Sequence, residues 1–125
     1  MKQLFISSVA CILIISCSKK TNDKDYEAPV VTLTSPANNQ VFTAGEMINI
    51  QGTVTDNQYI SQVHVEITDH NTGAEYLHIH IHPTSKTYAY NQAFTAQAGI
   101  NYTIRVIADD PSANTFTKQV EVSCN

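Results

Sequence analysis

The sequence has no tryptophan, only four glycines, four prolines and three cysteines in 125 residues. Glycines this few and this scattered leave no glycine-rich phosphate loop, and neither a nucleophile elbow nor a Cys/His pairing is present. Three cysteines are too few for a disulfide-stapled scaffold. Basic residues are scarce too. Seven Lys and Arg stand against 11 Asp and Glu, for a net charge of −4. The basic footprint of a nucleic-acid partner is therefore missing. Charged residues make up 14% and hydrophobic ones 42%, a balance that excludes disorder over most of the chain. The only long apolar run is Leu4–Ile15, which excludes a polytopic membrane protein. Helical periodicity is nowhere sustained. What remains is one small domain's length of short alternating runs.

The N-terminus has the anatomy of an export signal: Lys2, then the apolar Leu4–Ile15, then Ser16-Cys17 and the polar Ser18-Lys19-Lys20-Thr21-Asn22-Asp23. Ile14-Ile15-Ser16-Cys17 resembles the lipobox of bacterial lipoproteins. The resemblance implies removal of residues 1–16, lipid on the Cys17 thiol and acylation of the new amino end. Two or more acyl chains anchor stably, at ~0.8 kcal/mol per buried CH₂. The expected location is the cell envelope of a bacterium, on the outer membrane, with the lipid as the membrane partner. Cys11 leaves with the signal and Cys17 carries lipid, so Cys124 has no intramolecular disulfide partner. Residues 17–28 read as the lipidated cysteine and a flexible tether. Its Ser18–Ala28 stretch reaches roughly 35 Å when extended.

From Pro29 to Asn125 the pattern predicts an all-β sandwich of seven strands. Val30–Thr34 opens it, and Val41-Phe42 is a short extended stub. Ile48, Ile50 and Val54 share one parity in the next strand, and Asp56-Asn57 reads as the turn that ends it. Val63, Val65 and Ile67 alternate with Gln62, His64 and Glu66. Leu77, Ile79 and Ile81 alternate with His78, His80 and His82. Lys86–Thr95 follows, with Tyr88, Tyr90 and Phe94 in phase. The next strand points Tyr102, Ile104, Val106 and Ala108 one way. The last aligns Phe116, Val120 and Val122, with Lys118 breaking the phase and predicting a bulge or an edge position.

Three stretches resemble bacterial immunoglobulin-like and fibronectin-III-like modules: Pro29–Pro36, Gly45–Asp56 and Tyr102–Asp109 with the polar turn ending in Asn114. The resemblance implies a Greek-key immunoglobulin-like sandwich with Tyr102 as a tyrosine corner, its hydroxyl bonded to nearby backbone. The missing Trp and Cys pair exclude an antibody-type domain.

All five histidines lie between residues 64 and 82. Strand alternation puts His78, His80 and His82 on one face, ~6.8 Å apart, while Leu77, Ile79 and Ile81 take the core face. Asn71-Thr72-Gly73 suits a three-residue hairpin loop with Gly73 left-handed. His70 is then a turn residue paired with Ala74, Glu66 faces His78, His64 faces His80 and Gln62 faces His82. Directly opposed Cβ atoms lie ~5 Å apart. Imidazoles beside a carboxylate are the ligand set of Zn²⁺ or Cu²⁺, with His64, His78, His80, His82 and Glu66 as candidates. A flat sheet face offers no pocket for catalysis, so no enzyme is expected and no catalytic residue is named. Asp56, Asp109 and Asp110 fall at turn positions near one end of the sandwich. Cadherin-like modules bind calcium with acidic residues there, but their motifs are not matched, and Asp is a favoured turn residue. Tyr59, Tyr76, Tyr88 and Tyr90 are either packing residues or an aromatic surface for a protein or glycan.

Two readings follow. In the first, the chain is a lipid-anchored, non-catalytic immunoglobulin-like module for binding or adhesion. In the second, it is an envelope lipoprotein that binds zinc or copper through the histidine cluster.

Overall fold

A computed structural model describes residues 23–125. The signal, Cys17 and the first part of the tether lie outside the described residues. Period-2 alternation builds every element in the order β1 (Val30–Ser35), β2 (Gln40–Phe42), β3 (Met47–Ile60), β4 (Gln62–Asp69), β5 (Glu75–Ile81), β6 (Ser85–Thr95), β7 (Asn101–Asp109) and β8 (Thr115–Cys124). One sheet runs β1-β3-β6 and the other β2-β8-β7-β4-β5. Their inner faces enclose Ile48, Ile50, Val54, Ile60, Val63, Val65, Ile67, Tyr102, Ile104, Val106 and Ala108, all fully buried. This is the all-β sandwich that the alternation predicts, with the immunoglobulin-like architecture that the resemblance implies.

Eight strands replace the seven expected. The additional one is the stub at Gln40–Phe42, which pairs in parallel with the end of β8 and buries Phe42. Two other expectations change. Asp56-Asn57 does not end its strand: β3 continues to Ile60, with irregular pairing to β6 between Thr55 and Ile60. Ile60 is fully buried, so core packing draws the chain onward past the polar pair. Near Lys118 the β7–β8 register is unbroken, so there is no bulge. Lys118 occupies an edge instead, because β2 covers only Val122–Cys124 of β8. Phe116, expected inside, lies on that same uncovered stretch and is 40% exposed.

Two buried tyrosines bond backbone groups, Tyr102 one in the loop after β6 and Tyr90 one within its own β1-β3-β6 sheet. Tyr102 is fully buried, and its hydroxyl accepts the Gln97 N–H at 2.9 Å, as a tyrosine corner should. Tyr76 and Phe94 pack edge-on against its ring. Tyr90 crosses over Gly52 and donates its hydroxyl to the Thr32 carbonyl at 2.5 Å. Burial pushes the Tyr90 phenol up to about 12. Of the other tyrosines, Tyr88 packs against the core and Tyr59 is exposed. The thiol of Cys124 is free and buried.

Candidate metal centre

The centre is assembled by the position of β4 between β5 and β7. Val63, Val65 and Ile67 anchor β4 in the core with no exposed area, which turns Gln62, His64 and Glu66 outward. On β5, Leu77, Ile79 and Ile81 pack against that core, and His78 and His80 are exposed. The register sets Glu66 opposite His78 and His64 opposite His80, as the hairpin spacing predicts. Towards the turn the pairing differs. It shifts after Ile67, and Thr68 faces Glu75. Asp69, rather than His70, bonds Ala74, donating its N–H to the Ala74 carbonyl. The cause is the Asp69 carboxylate, which accepts the N–H groups of Asn71 and Thr72 at 2.7 and 3.1 Å and widens the loop. These bonds hold the Asp69 carboxyl below its ordinary range. Gly73 is left-handed, with φ of 75°.

His64, Glu66 and His78 each bring one ligand atom within 4.8 Å of the other two. His64 Nδ1 lies 3.1 Å from His78 Nε2, and that nitrogen lies 3.8 Å from Glu66 Oε1. Ligand atoms on a tetrahedral zinc with bonds of about 2.05 Å are separated by about 3.3 Å. The outer ring nitrogens have partners of their own. His64 Nε2 is 3.3 Å from Gln62 Oε1, and His78 Nδ1 is 3.4 Å from Glu75 Oε2. An acceptor beside the outer nitrogen can hold the proton there when a metal takes the inner lone pair, as ligand histidines require. The other oxygen of Glu66 accepts Arg105 Nη2 at 2.6 Å. Arg105 reaches it because β4–β7 pairing sets the two residues opposite one another.

The remaining histidines do not belong to this trio of ligand atoms. The His80 ring stacks on His64 at 4.1 Å, and its Nε2 shares Gln62 Oε1 at 3.3 Å. Partial desolvation, then the imidazoles of His64, His82 and His78, lower the His80 pKa. His82 lies just beyond β5, with Nδ1 3.2 Å from the Ser61 carbonyl oxygen, and does not meet Gln62 as its expected partner. His70 is in the turn, 3.1 Å from Thr103 Oγ1 and 3.5 Å from Glu121, beside a shallow depression lined by Asn39 and Asn101. Sequence reasoning missed Arg105, whose place depends on strand pairing across 39 residues, and Glu75, hidden by the shift in register.

The curated proteins include no match to the chain. Among solved structures, it is similar to the fibronectin(III)-like modules of Clostridium thermocellum CbhA, with 26% identity and a TM-score of 0.53. That match covers 75% of this chain, which spans 45% of that chain's length. A β-glucosidase from Listeria innocua matches with 12% identity and a TM-score of 0.45, over 78% of this chain and 16% of the enzyme. The CARDB domain of a Pyrococcus furiosus protein matches with 14% identity and a TM-score of 0.46, over 81% of this chain and 99% of that domain. The sequence profile of the bacterial Ig domain matches residues 29–106, more than half of the chain. The chain belongs to the bacterial Ig domain family.

Proposed function

We propose that this protein is a lipid-anchored binding module of a bacterial envelope, held by Cys17, whose ligand on the β4–β5 face is Zn²⁺ or Cu²⁺. The observation that carries the metal reading is the convergence of His64 Nδ1, His78 Nε2 and Glu66 Oε1, with both outer ring nitrogens facing acceptors. Without metal the two ring nitrogens, 3.1 Å apart, are at hydrogen-bond distance, one imidazole donating to the other. A cation between them displaces that proton and takes both lone pairs. Two nitrogens and one carboxylate oxygen suit either metal, with Cu²⁺ the tighter by the general order of divalent affinities. Arg105 occupies one Glu66 oxygen, so the carboxylate serves as a single-oxygen ligand. The fourth position faces solvent and takes water. The centre lies on an open sheet face, without a pocket to hold a substrate against that water, which supports binding without catalysis.

The test is calorimetric titration of the purified protein with Zn²⁺ and Cu²⁺. One site per chain is expected, weakened about 100-fold or more in His78→Ala. His80→Ala, which removes a stacked ring and no ligand, is expected to weaken it far less. Loss of about 10-fold is expected in Glu75→Ala, where only the outer partner goes. Equal binding by wild type and His78→Ala removes the metal reading and leaves an adhesion module with a protein or glycan partner.

A further inference from the structure

Where the chain enters the sandwich, a second group of ionisable side chains converges. Asp25 comes from the irregular segment before β1, Asp56 from β3 beyond its regular pairing, and Asp110 from the turn after β7. One carboxylate oxygen of each lies within 4.8 Å of the other two. Asp25 is only 7% exposed and Asp110 only 3%. Protein donors reach some of the oxygens. Asp25 Oδ1 accepts the Glu27 N–H and Asn57 Nδ2 at 3.0 and 3.1 Å. Asp56 Oδ2 accepts the Gln58 N–H at 2.7 Å. Asp110 accepts the Asn114 N–H on Oδ1 and its Nδ2 on Oδ2, at 2.8 and 2.7 Å.

Two oxygens are left over. Asp25 Oδ2 and Asp56 Oδ1 are shut off from solvent and have no hydrogen-bond partner among the described residues. Nor does any lysine, arginine or histidine among the described residues form an ion pair with the three carboxylates. An enclosed carboxylate oxygen without a donor is costly, and its acidic neighbours add repulsion. Both costs disappear if a cation occupies the space between them.

The chemistry selects the cation. The donors are all oxygens, which suit hard ions. Calcium takes six to eight oxygens at about 2.3–2.6 Å in a flexible geometry, which suits carboxylates brought in by three separate segments; magnesium demands a near-ideal octahedron at about 2.1 Å and gives up its water reluctantly. We infer that Asp25, Asp56 and Asp110 form a calcium site that fastens the segment leading into the domain onto the end of the sandwich. Asn114 already draws that segment in, donating its Nδ2 to the carbonyls of Asp25 and Glu27 at 3.1 and 3.3 Å. The ion would complete the clasp, turning a loose leader into a fixed one.

The test compares the purified full chain with Asp25→Asn and Asp56→Asn, in EDTA and in about 2 mM Ca²⁺. Wild type is expected to bind one calcium by calorimetry and to gain about 5 °C in Tm. Tryptic cleavage after Lys24 should slow about tenfold with calcium in wild type and not in the variants. The decisive sign is a crossing: each variant melts above wild type in EDTA, where a repelling charge has gone, and below it in calcium. Carboxylates that merely cap turns would leave the variants below wild type in both media, and that result overturns the inference. So does an equal calcium response in all three proteins, or a response to Mg²⁺ that matches the one to Ca²⁺.

Discussion

Gly52 shows how a single atom governs the contact between strands. A Cβ there would collide with the Thr32 carbonyl oxygen and the Tyr90 hydroxyl, which meet directly above it. The phenol–carbonyl bond therefore requires glycine in the middle of a β-strand, where glycine is otherwise a weak choice. Gly52→Ala is expected to destabilise the domain by about 3 kcal/mol, from overpacking and loss of that bond. Chemical denaturation measures it, and the far-UV spectrum of the folded variant should remain that of wild type. The parity of Ile48, Ile50 and Val54 is legible in the sequence, and so is a glycine among them. What crosses over the glycine is not, because Tyr90 is brought there by pairing with a strand 38 residues away.

Among the elements, the β4–β5 hairpin was the most legible. Its alternation is unbroken on both arms, and a one-residue slip would expose Val63, Val65 and Ile67, so core burial fixes the face; a two-residue slip keeps that face, and it is the Asn71-Thr72-Gly73 loop that predicts the pairing of Glu66 with His78. The turn was legible only in part. Gly73 was readable as left-handed, but the widening by Asp69 was not, since an aspartate before a loop says nothing by itself about which amides it will cap. That turn carries a pH prediction. Hydrogen bonds from Asn71 and Thr72 depress the Asp69 pKa in the folded state relative to the unfolded chain. Folding is thus favoured by the ionised form, and the contribution is present above the unfolded value of about 3.9 and lost as pH falls through the folded one. Wild-type Tm should therefore drop more steeply below about pH 4 than that of Asp69→Asn, followed by thermal melts at stepped pH. Both proteins are melted without metal, so that loss of bound metal in acid does not enter the comparison.

For the molecule as a whole, the fold class was legible from turn spacing and alternation, while the convergence of distant carboxylates was not. Asp25 lies in a stretch whose polar composition reads as tether, and 85 residues separate it from Asp110. Nothing periodic links the two; only the closed sandwich brings them together. The same scale holds the anchoring prediction. Cys17→Ser should release the protein from the membrane fraction and abolish incorporation of a fatty-acid label, measured after fractionating expressing cells. Retention of the variant in the membrane would remove the lipid reading.

The strand directions also determine how the domain bears a load. β1 leaves the aspartate end and runs antiparallel to β3, from the Val30–Thr55 pair to Ser35–Gln51. β8 ends at the opposite pole, where Cys124 lies against Phe42. Tension between the start of β1 and anything gripping that far pole acts along β1, across its ladder of hydrogen bonds. Those bonds lie perpendicular to the strands. They are strained together in shear, not peeled apart one after another, so the domain resists being pulled open from its N-terminal end.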